Sequence, residues 1–529
     1  MLLRVSSAAN LELVRQLLQA HVYWRLKGLE VDLVIWNEDK GGYRQELQDQ
    51  ILGLVGASIE AHMLDRPGGV FVRVAHLITH EDRILIQSAA RVVLSDEDGT
   101  LAAQVGRRAP SGHTPPLLSE AEPQWHSPQA DENEPSTIVP SDGEDAWPFD
   151  AENQPLQFDN GLGAFSTDGR EYVITLHEGA PTPAPWANVL ANSQFGTVVS
   201  ESAAGYTWFE NAHEFRLTPW HNDPISDTSG EAIYLRDEET GHVWSPTPLP
   251  RRGSGAYRTR HGFGYSVYEH VEDGIASELW VFVGLHDAVK FSRLKLRNLS
   301  GRTRRLSVTG YVEWVLGELG ASTRIHVVSE IDAGSGLLTA RNSYNTEFEG
   351  RAAFFDVDVD ADAEGRSHTA DRAEFLGRNG HIGAPRALWR AHLSNRIGAG
   401  LDPCAAIQVP AVMAPEEVFE TTFRLGAAAD HASLVGLAER NKGAAAARDA
   451  LAAVRNYWDH TLAALQVETP EPEVDVLVNG WLTYQTLASR CLARSGYYQS
   501  GGAFGFRDQL QDTMALAHIA PQSSREHLL

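Results

Sequence analysis

Residues 494 to 516, RSGYYQSGGAFGFRDQLQDTMAL, gather carboxylates, amides and aromatic rings into one short stretch. A glycine-rich loop carrying Tyr497, Tyr498 and Phe504 runs into Phe506, Arg507 and Asp508 and then into a helical pattern. Asp508 and Asp512 are four apart, so a helix puts them on one face, with Gln509 and Gln511 flanking it. Carboxylates and amides can take up hydroxyl groups, and flat rings can cover the apolar face of a pyranose, so the set suits a sugar. A capped helix with solvated charges accounts for the same residues equally well. The Gly501-Gly502 pair lacks the following Lys and Ser/Thr of a phosphate-cradling loop, which argues against a nucleotide.

The elements that must position this stretch lie just before it. Thr469-Pro470-Glu471-Pro472-Glu473 marks a helix start, with proline and acid in the first turn. Val474, Leu477, Val478, Trp481, Tyr484 and Ala488 follow at helical spacing, and the pattern fades near Arg494. A second helix is predicted from near Asp508 to Ile519, with Pro521 stopping it; the final SSREHLL reads as the first turn of another. A lone helical hairpin cannot bury its own apolar stripe, so the pair needs partners.

Composition narrows the possible partners. The 529 residues carry a formal charge of −26, which disfavours nucleic acid and anionic membrane surfaces. Thirteen tryptophans imply a groove or core that uses them. The two cysteines, Cys404 and Cys491, fit reduced thiols, and neither has a Cys/His metal spacing, so no metal is expected. No apolar run reaches bilayer length and the N-terminus lacks a signal-peptide pattern, so no membrane insertion by this chain is expected.

In chain order, residues 1 to 105 alternate short apolar runs (LLRV, VDLVIW, GVFVRVA) with helical spacing at 10–26 and 44–58, which predicts an α/β segment with parallel pairing. So few strands suggest the tail of a larger domain. Residues 106–150 are rich in Pro, Ser and acid and read as a disordered linker. Residues 151–428 are a succession of alternating runs such as EYVITL, EAIYLRD, ELWVFVGL and FSRLKLRN, split by turns such as DNG and EDG. That much strand predicts one large two-sheet antiparallel sandwich. Residues 429–468 are an Ala-rich helical linker, and 469–529 hold the helices and loop described above.

These stretches carry a family likeness. GWLTYQTLASRCLARSGYYQSGGAFGFRDQLQD resembles the start of the catalytic domain of the inverting glycoside phosphorylases, and GGAFGFRDQLQDTMAL resembles the C-terminal module of cyclic β-1,2-glucan synthases. FDNGLGAFSTDGREYVITL, RLTPWHNDPISDTSGEAIYLRDEETGHVWSPTP and LSNRIGAGLDPCAAIQ resemble that family's N-terminal supersandwich, a galactose-mutarotase-like fold. Residues 1 to 105 resemble the segment that precedes it in those synthases.

The resemblance implies a mainly β fold with α, in which the supersandwich is followed by an α/α toroid. It implies a reaction in which a carboxylic acid protonates the glycosidic oxygen while inorganic phosphate, a co-substrate rather than a cofactor, attacks the anomeric carbon. It places Asp508 on donor-sugar hydroxyls, with Arg507 fixing that carboxylate; Asp512, Gln511 and Phe506 stand near it. Asp512 fits a supporting role or a plain salt bridge equally well. Some phosphorylases carry an Arg six residues before this Asp; here Gly502 stands there. The family's sandwich lends a loop to its site, and Trp220 and Asp223, in the Trp220-His221-Asn222-Asp223 loop, could belong to it; a structural turn explains them equally well. His213, His261 and Glu269 could mimic the His/acid pair of mutarotase-type sandwiches, a core or surface histidine being the commoner role.

The family's general acid sits in a Trp-Asn-Asp stretch, and this sequence contains none. It is expected beyond Leu529, with the phosphate-binding residues, so the chain reads as cut at both ends and inactive alone. The expected partners are a β-glucan oligosaccharide and either other parts of the same polypeptide or a second copy. A cytoplasmic location is expected, with the intact synthase at the inner membrane. A non-catalytic carbohydrate-binding or scaffolding sandwich is the alternative.

Overall fold

The computed structural model describes residues 1–39, 46–58, 61–108, 155–177, 179–359, 365–501 and 505–528. The chain divides into two compact units, Met1–Ala130 and Asp131–Leu529. Of the linker expected at 106–150, residues 106–108 complete the helix Leu101–Arg108, and the remainder lies outside the described residues.

In the first unit, strands Val70–Val74, Leu33–Asn37, Leu2–Val5 and Val93–Ser95 lie side by side, all parallel. Leu13, Val14, Leu17 and Leu18 of the helix Leu11–Leu26 recur on one face and pack with Leu47, Ile51 and Val55 of Glu46–Ala57 on the buried strand residues. Four strands thus enclose a core of their own. The three-residue strand Val93–Ser95 and the helix His80–Ala89, which buries none of its residues, left no legible period in the sequence.

The second unit is the sandwich and the helices that follow it. Among the described residues an eleven-stranded antiparallel sheet packs against a five-stranded and a three-stranded sheet. A single apolar cluster joins them, from Phe195 and Trp244 through Phe291 and Trp314 to Phe423. The expectation of two sheets therefore holds for the layers, one of which is built from two separate sheets. The strand Ile275–Val283 is buried along its whole length. Helix Ala444–Leu462 supplies cover, with Arg455 lying over the Trp280 ring at 4.8 Å and the Tyr265 ring at 5.0 Å. Cover on both faces explains why this strand reads as a continuous apolar run rather than an alternation.

The helical linker is two helices, His431–Arg440 and Ala444–Leu462, separated where Gly443 takes φ +95°. The helix predicted from Pro472 is interrupted by two π-helical stretches, Leu477–Trp481 and Thr486–Ala493. The wider winding turns Trp481, Tyr484, Leu487 and Ala488 onto the sandwich. Trp481 Nε1 donates to the Gly169 carbonyl at 2.8 Å, and the Tyr484 hydroxyl bonds Asn188 Oδ1 at 2.8 Å. The last helices also differ from expectation. The helix carrying Asp508 spans Phe506–Met514, and Pro521 opens the helix Pro521–Leu528 rather than ending one. Proline's fixed φ and missing N–H suit a first helical turn, so a proline read as a stop also serves as a start.

Candidate active site

The loop ahead of Asp508 is stitched to the sandwich. Arg494, in the left-handed region at φ +49°, ends the long helix and throws the chain into residues 495–501. Ser495 Oγ shares a hydrogen bond with the buried Tyr206 hydroxyl, and Arg216 Nη2 donates to Ser500 Oγ. Trp220 Nε1 donates to the Tyr497 carbonyl at 3.0 Å. The Tyr497 hydroxyl reaches Asp227 Oδ1 at 2.6 Å and the Asp223 carbonyl at 3.2 Å. Gly501, at φ +76°, lies so close to His213 that a Cβ there would sit 2.6 Å from the His213 Cβ, so only glycine fits.

All the sandwich partners come from residues 206–227, in the strand Gly205–Phe209 and in the segment that follows it toward the strand Glu231–Asp237. The segment is held by its own polar groups. Arg216 is buried, donates from Nη1 to the Glu318 carbonyl at 2.7 Å and lies over the Trp220 ring at 5.4 Å. Asp227 takes a left-handed φ of +45° and also accepts from Ser200 Oγ at 2.6 Å. Burial pushes the Asp227 carboxyl and the Tyr497 phenol up, and desolvation pulls the Arg216 guanidinium down.

Beyond this clasp, Asp508 sits in the first turn of Phe506–Met514, where the helix N-terminus favours a carboxylate. Arg507 Nε and Nη2 donate to Asp508 Oδ1 at 3.2 and 3.1 Å, a contact between neighbouring, exposed side chains. Oδ2 turns back toward Gly505, where a Cβ would lie 2.8 Å away. The Asp508 side chain is 51% exposed. Phe506 is 74% exposed and Gln511 is exposed. Asp512 pairs with Arg490 at 2.6 Å, which fits the salt-bridge role. Phe504 and Gly502 lie outside the described residues.

A cleft of about 720 Å³ opens between residues 208–214 and residues 491–501; Asp508, Arg507, Phe506, Gln511, Trp220 and Asp223 are not among the described residues that line it. Glu210, His213, Glu214, Arg494 and Gln499 give it a mixed lining of donors and acceptors, which suits a ligand rich in hydroxyl groups. The structure thus brings Trp220 and Asp223 to the loop that leads into Asp508. Arg216, Tyr206, Asp227 and Gln499 were not picked out from the sequence. For Arg216 and Asp227 the one signal was a long polar and aromatic stretch between two strands, which reads as an ordinary loop until its partners 270 and 284 residues away are known.

The mutarotase-like set does not assemble. His261 Nδ1 contacts Ser266 Oγ at 2.8 Å and Nε2 the Trp186 carbonyl at 2.9 Å, and burial lowers its pKa to about 4. Glu269 is buried against Arg260 at 2.9 Å, and His213 pairs with Glu214 at 2.8 Å. Each of the three is committed to a different neighbour.

Comparison with known proteins agrees with this architecture. The family profile described as the glycosyl hydrolase 94 supersandwich domain matches residues 170–444. The profile for the catalytic domain of the glycosyl hydrolase 94 superfamily matches residues 457–529. A cyclic β-(1,2)-glucan synthase of Rhizobium meliloti (strain 1021) is 36% identical over 530 residues, covering 100% of this chain and 18% of the relative. An N,N'-diacetylchitobiose phosphorylase of Vibrio furnissii is 30% identical over 389 residues, covering 69% of this chain and 46% of the relative. A solabiose phosphorylase of Paenibacillus borealis is 26% identical, covering 70% and 47%. The chain spans less than half the length of each of these relatives. Among the described residues no helix is long and apolar enough to cross a membrane.

Proposed function

This chain belongs to the carbohydrate-active glycosyl hydrolase 94 family, and on that premise we propose that it forms part of a glycoside phosphorylase unit acting on β-1,2-glucan. The observation that carries the reading is the clasp between residues 206–227 and the 495–501 loop that leads to Asp508; Gln499 and Gly501 of that loop also line a polar cleft. The likeness over the whole chain to a cyclic β-(1,2)-glucan synthase supports the choice of linkage.

In this reading Asp508 seats the donor sugar. Arg507 holds Oδ1, which leaves Oδ2 to accept sugar hydroxyls. The rings of Phe506 and Tyr498, both largely exposed, supply apolar cover for the sugar. In this reading the acid that protonates the glycosidic oxygen and the groups that hold inorganic phosphate are not supplied by this chain's residues. Attack by phosphate would then shorten linear glucan and limit ring size, and the 529-residue chain alone releases no glucose 1-phosphate.

Calorimetry with linear β-1,2-gluco-oligosaccharides tests the subsite. Binding that vanishes in Asp508→Ala supports it, and equal binding by both proteins removes Asp508 from the site. Glucose 1-phosphate formed from β-1,2-glucan and phosphate by the purified chain would refute its inactivity. The exposure of Asp508 favours one second reading, a carbohydrate-binding sandwich without catalysis. That reading predicts sugar binding that responds to changes at Trp220 but not at Asp508.

A further inference from the structure

A tyrosine ring stands out from one end of the sandwich. Tyr344 is 75% exposed, and its ring stacks on His326 with centroids 4.1 Å apart and planes 15° from parallel. Single exposed rings are ordinary on protein surfaces. This one is braced: His326 backs one face, and the other is left to solvent. The strand Val327–Ile331 stands at one end of the eleven-stranded sheet and pairs antiparallel with Leu338–Asn342, Val327 opposite Asn342. His326 and Tyr344 lie just past that pair, so the register of the hairpin brings the two rings together.

The loop that carries the ring is held from below. Asn342 is buried, donates from Nδ2 to the Leu316 carbonyl at 3.0 Å and accepts Tyr344 N on Oδ1 at 3.1 Å. Asn345 Oδ1 accepts Phe348 N at 3.0 Å, and the Phe348 ring stacks at 4.9 Å on Phe215, the neighbour of Arg216 in the clasp. Polar groups flank the ring. Val328 pairs with Arg341, so Arg341 and Glu330, two residues on from Val328, share a face of the hairpin. Arg341 Nη2 donates to Glu330 Oε1 at 3.2 Å and Nη1 to Ser343 Oγ at 3.3 Å, with both ends of the ion pair more than half exposed. A flat ring, a guanidinium, a carboxylate and a hydroxyl thus line one short stretch of surface.

We propose that Tyr344, with Ser343, Arg341 and Glu330 beside it, forms a surface platform for a gluco-oligosaccharide, separate from Asp508. A pyranose offers an apolar face that a ring covers and a rim of hydroxyls that charged and neutral groups bond. A ring fixed before the ligand arrives loses little freedom on binding. The Arg341–Glu330 pair is exposed and weakly held, so both groups turn to a ligand at little cost. The choice of a glucose polymer rests on the function proposed above. The platform's role is to hold the polymer against the sandwich, away from the reacting end. No spacing in the sequence points to it, because a tyrosine in a turn reads as an ordinary loop residue until the hairpin sets His326 behind it.

Calorimetry of the 529-residue chain with linear β-1,2-gluco-oligosaccharides tests the platform. Tyr344→Ala and Arg341→Ala change exposed side chains, so both variants keep the fold, which circular dichroism and Tm check. The wild type is expected to show a binding event that weakens roughly tenfold in Tyr344→Ala. The same event should weaken in Arg341→Ala and persist in Tyr344→Phe, which keeps the ring. It should also remain in Asp508→Ala, whereas an event at Asp508 disappears there and stays in Tyr344→Ala, so the two sites fail separately. Oligosaccharide binding that Tyr344→Ala leaves unchanged, or a wild type that binds none, would overturn the platform.

Discussion

The Tyr497 hydroxyl meets the Asp227 carboxylate at 2.6 Å, tying the loop ahead of the Asp508 helix to a sandwich residue 270 positions earlier. Asp227 is buried and has one other side-chain donor, Ser200. Tyr497→Phe removes one hydrogen bond and leaves a buried carboxylate half satisfied. The variant should lose about 1–3 kcal/mol of stability in denaturant unfolding. Amide exchange over residues 495–501 should quicken, and sugar affinity should fall with the loop's order.

Asp508 and Asp512 share a helix, but their surroundings predict opposite outcomes. The Arg490–Asp512 pair is 49% and 32% exposed, so Asp512→Asn should cost less than about 1 kcal/mol and leave oligosaccharide binding unchanged. Asp508→Asn should keep the fold and weaken binding, since its amide accepts fewer hydroxyls. Calorimetry on the two variants separates these roles.

Glu201 gives the sandwich a pH dependence. Buried, and hydrogen-bonded by Thr182 and by Trp186 N at 2.8 Å, its carboxyl is pushed up from 4.5 to about 7, chiefly by burial. The folded chain keeps a proton that the unfolded chain releases. The stability this provides is complete below pH 4.5 and is lost as pH rises to about 7. The loss should be on the order of 3 kcal/mol at most. Glu201→Gln should flatten the urea midpoint across that window.

Lys290 and Glu231 form an ion pair at 2.6 Å inside the sandwich, with Thr207 and Thr218 also donating to Glu231 at 2.6 Å. Lysine and hydroxyl contacts hold the Glu231 carboxyl below its ordinary range despite burial. Glu231→Ala strands a buried ammonium and should cost roughly 3–5 kcal/mol. The double variant Glu231→Leu/Lys290→Met should cost clearly less, because it removes both charges together. Thermal unfolding of the single and double variants measures the difference.

Much of this was legible because it is local. The strands EYVITL and EAIYLRD, the parallel runs LLRV and VDLVIW, and the helix start at Pro472 announce themselves by period and by turn chemistry. Pro521 was misread because proline marks both the end and the beginning of helices. The π-helical stretches were missed because winding is chosen by what Trp481 and Tyr484 dock against, which no local pattern carries.

By itself the sequence determined the inventory: which segments alternate and which wind, and that carboxylates, amides and rings share one loop. Hydrophobic period and turn residues act within a few positions, so they can be read along the chain. Only the tertiary structure decided that Arg216 and Asp227 serve Ser500 and Tyr497, and that His261 is locked into the core. Those pairings depend on how large sheets stack, and a polar side chain in a loop gives no sign of a partner hundreds of residues away until the sheets bring the two within hydrogen-bond reach.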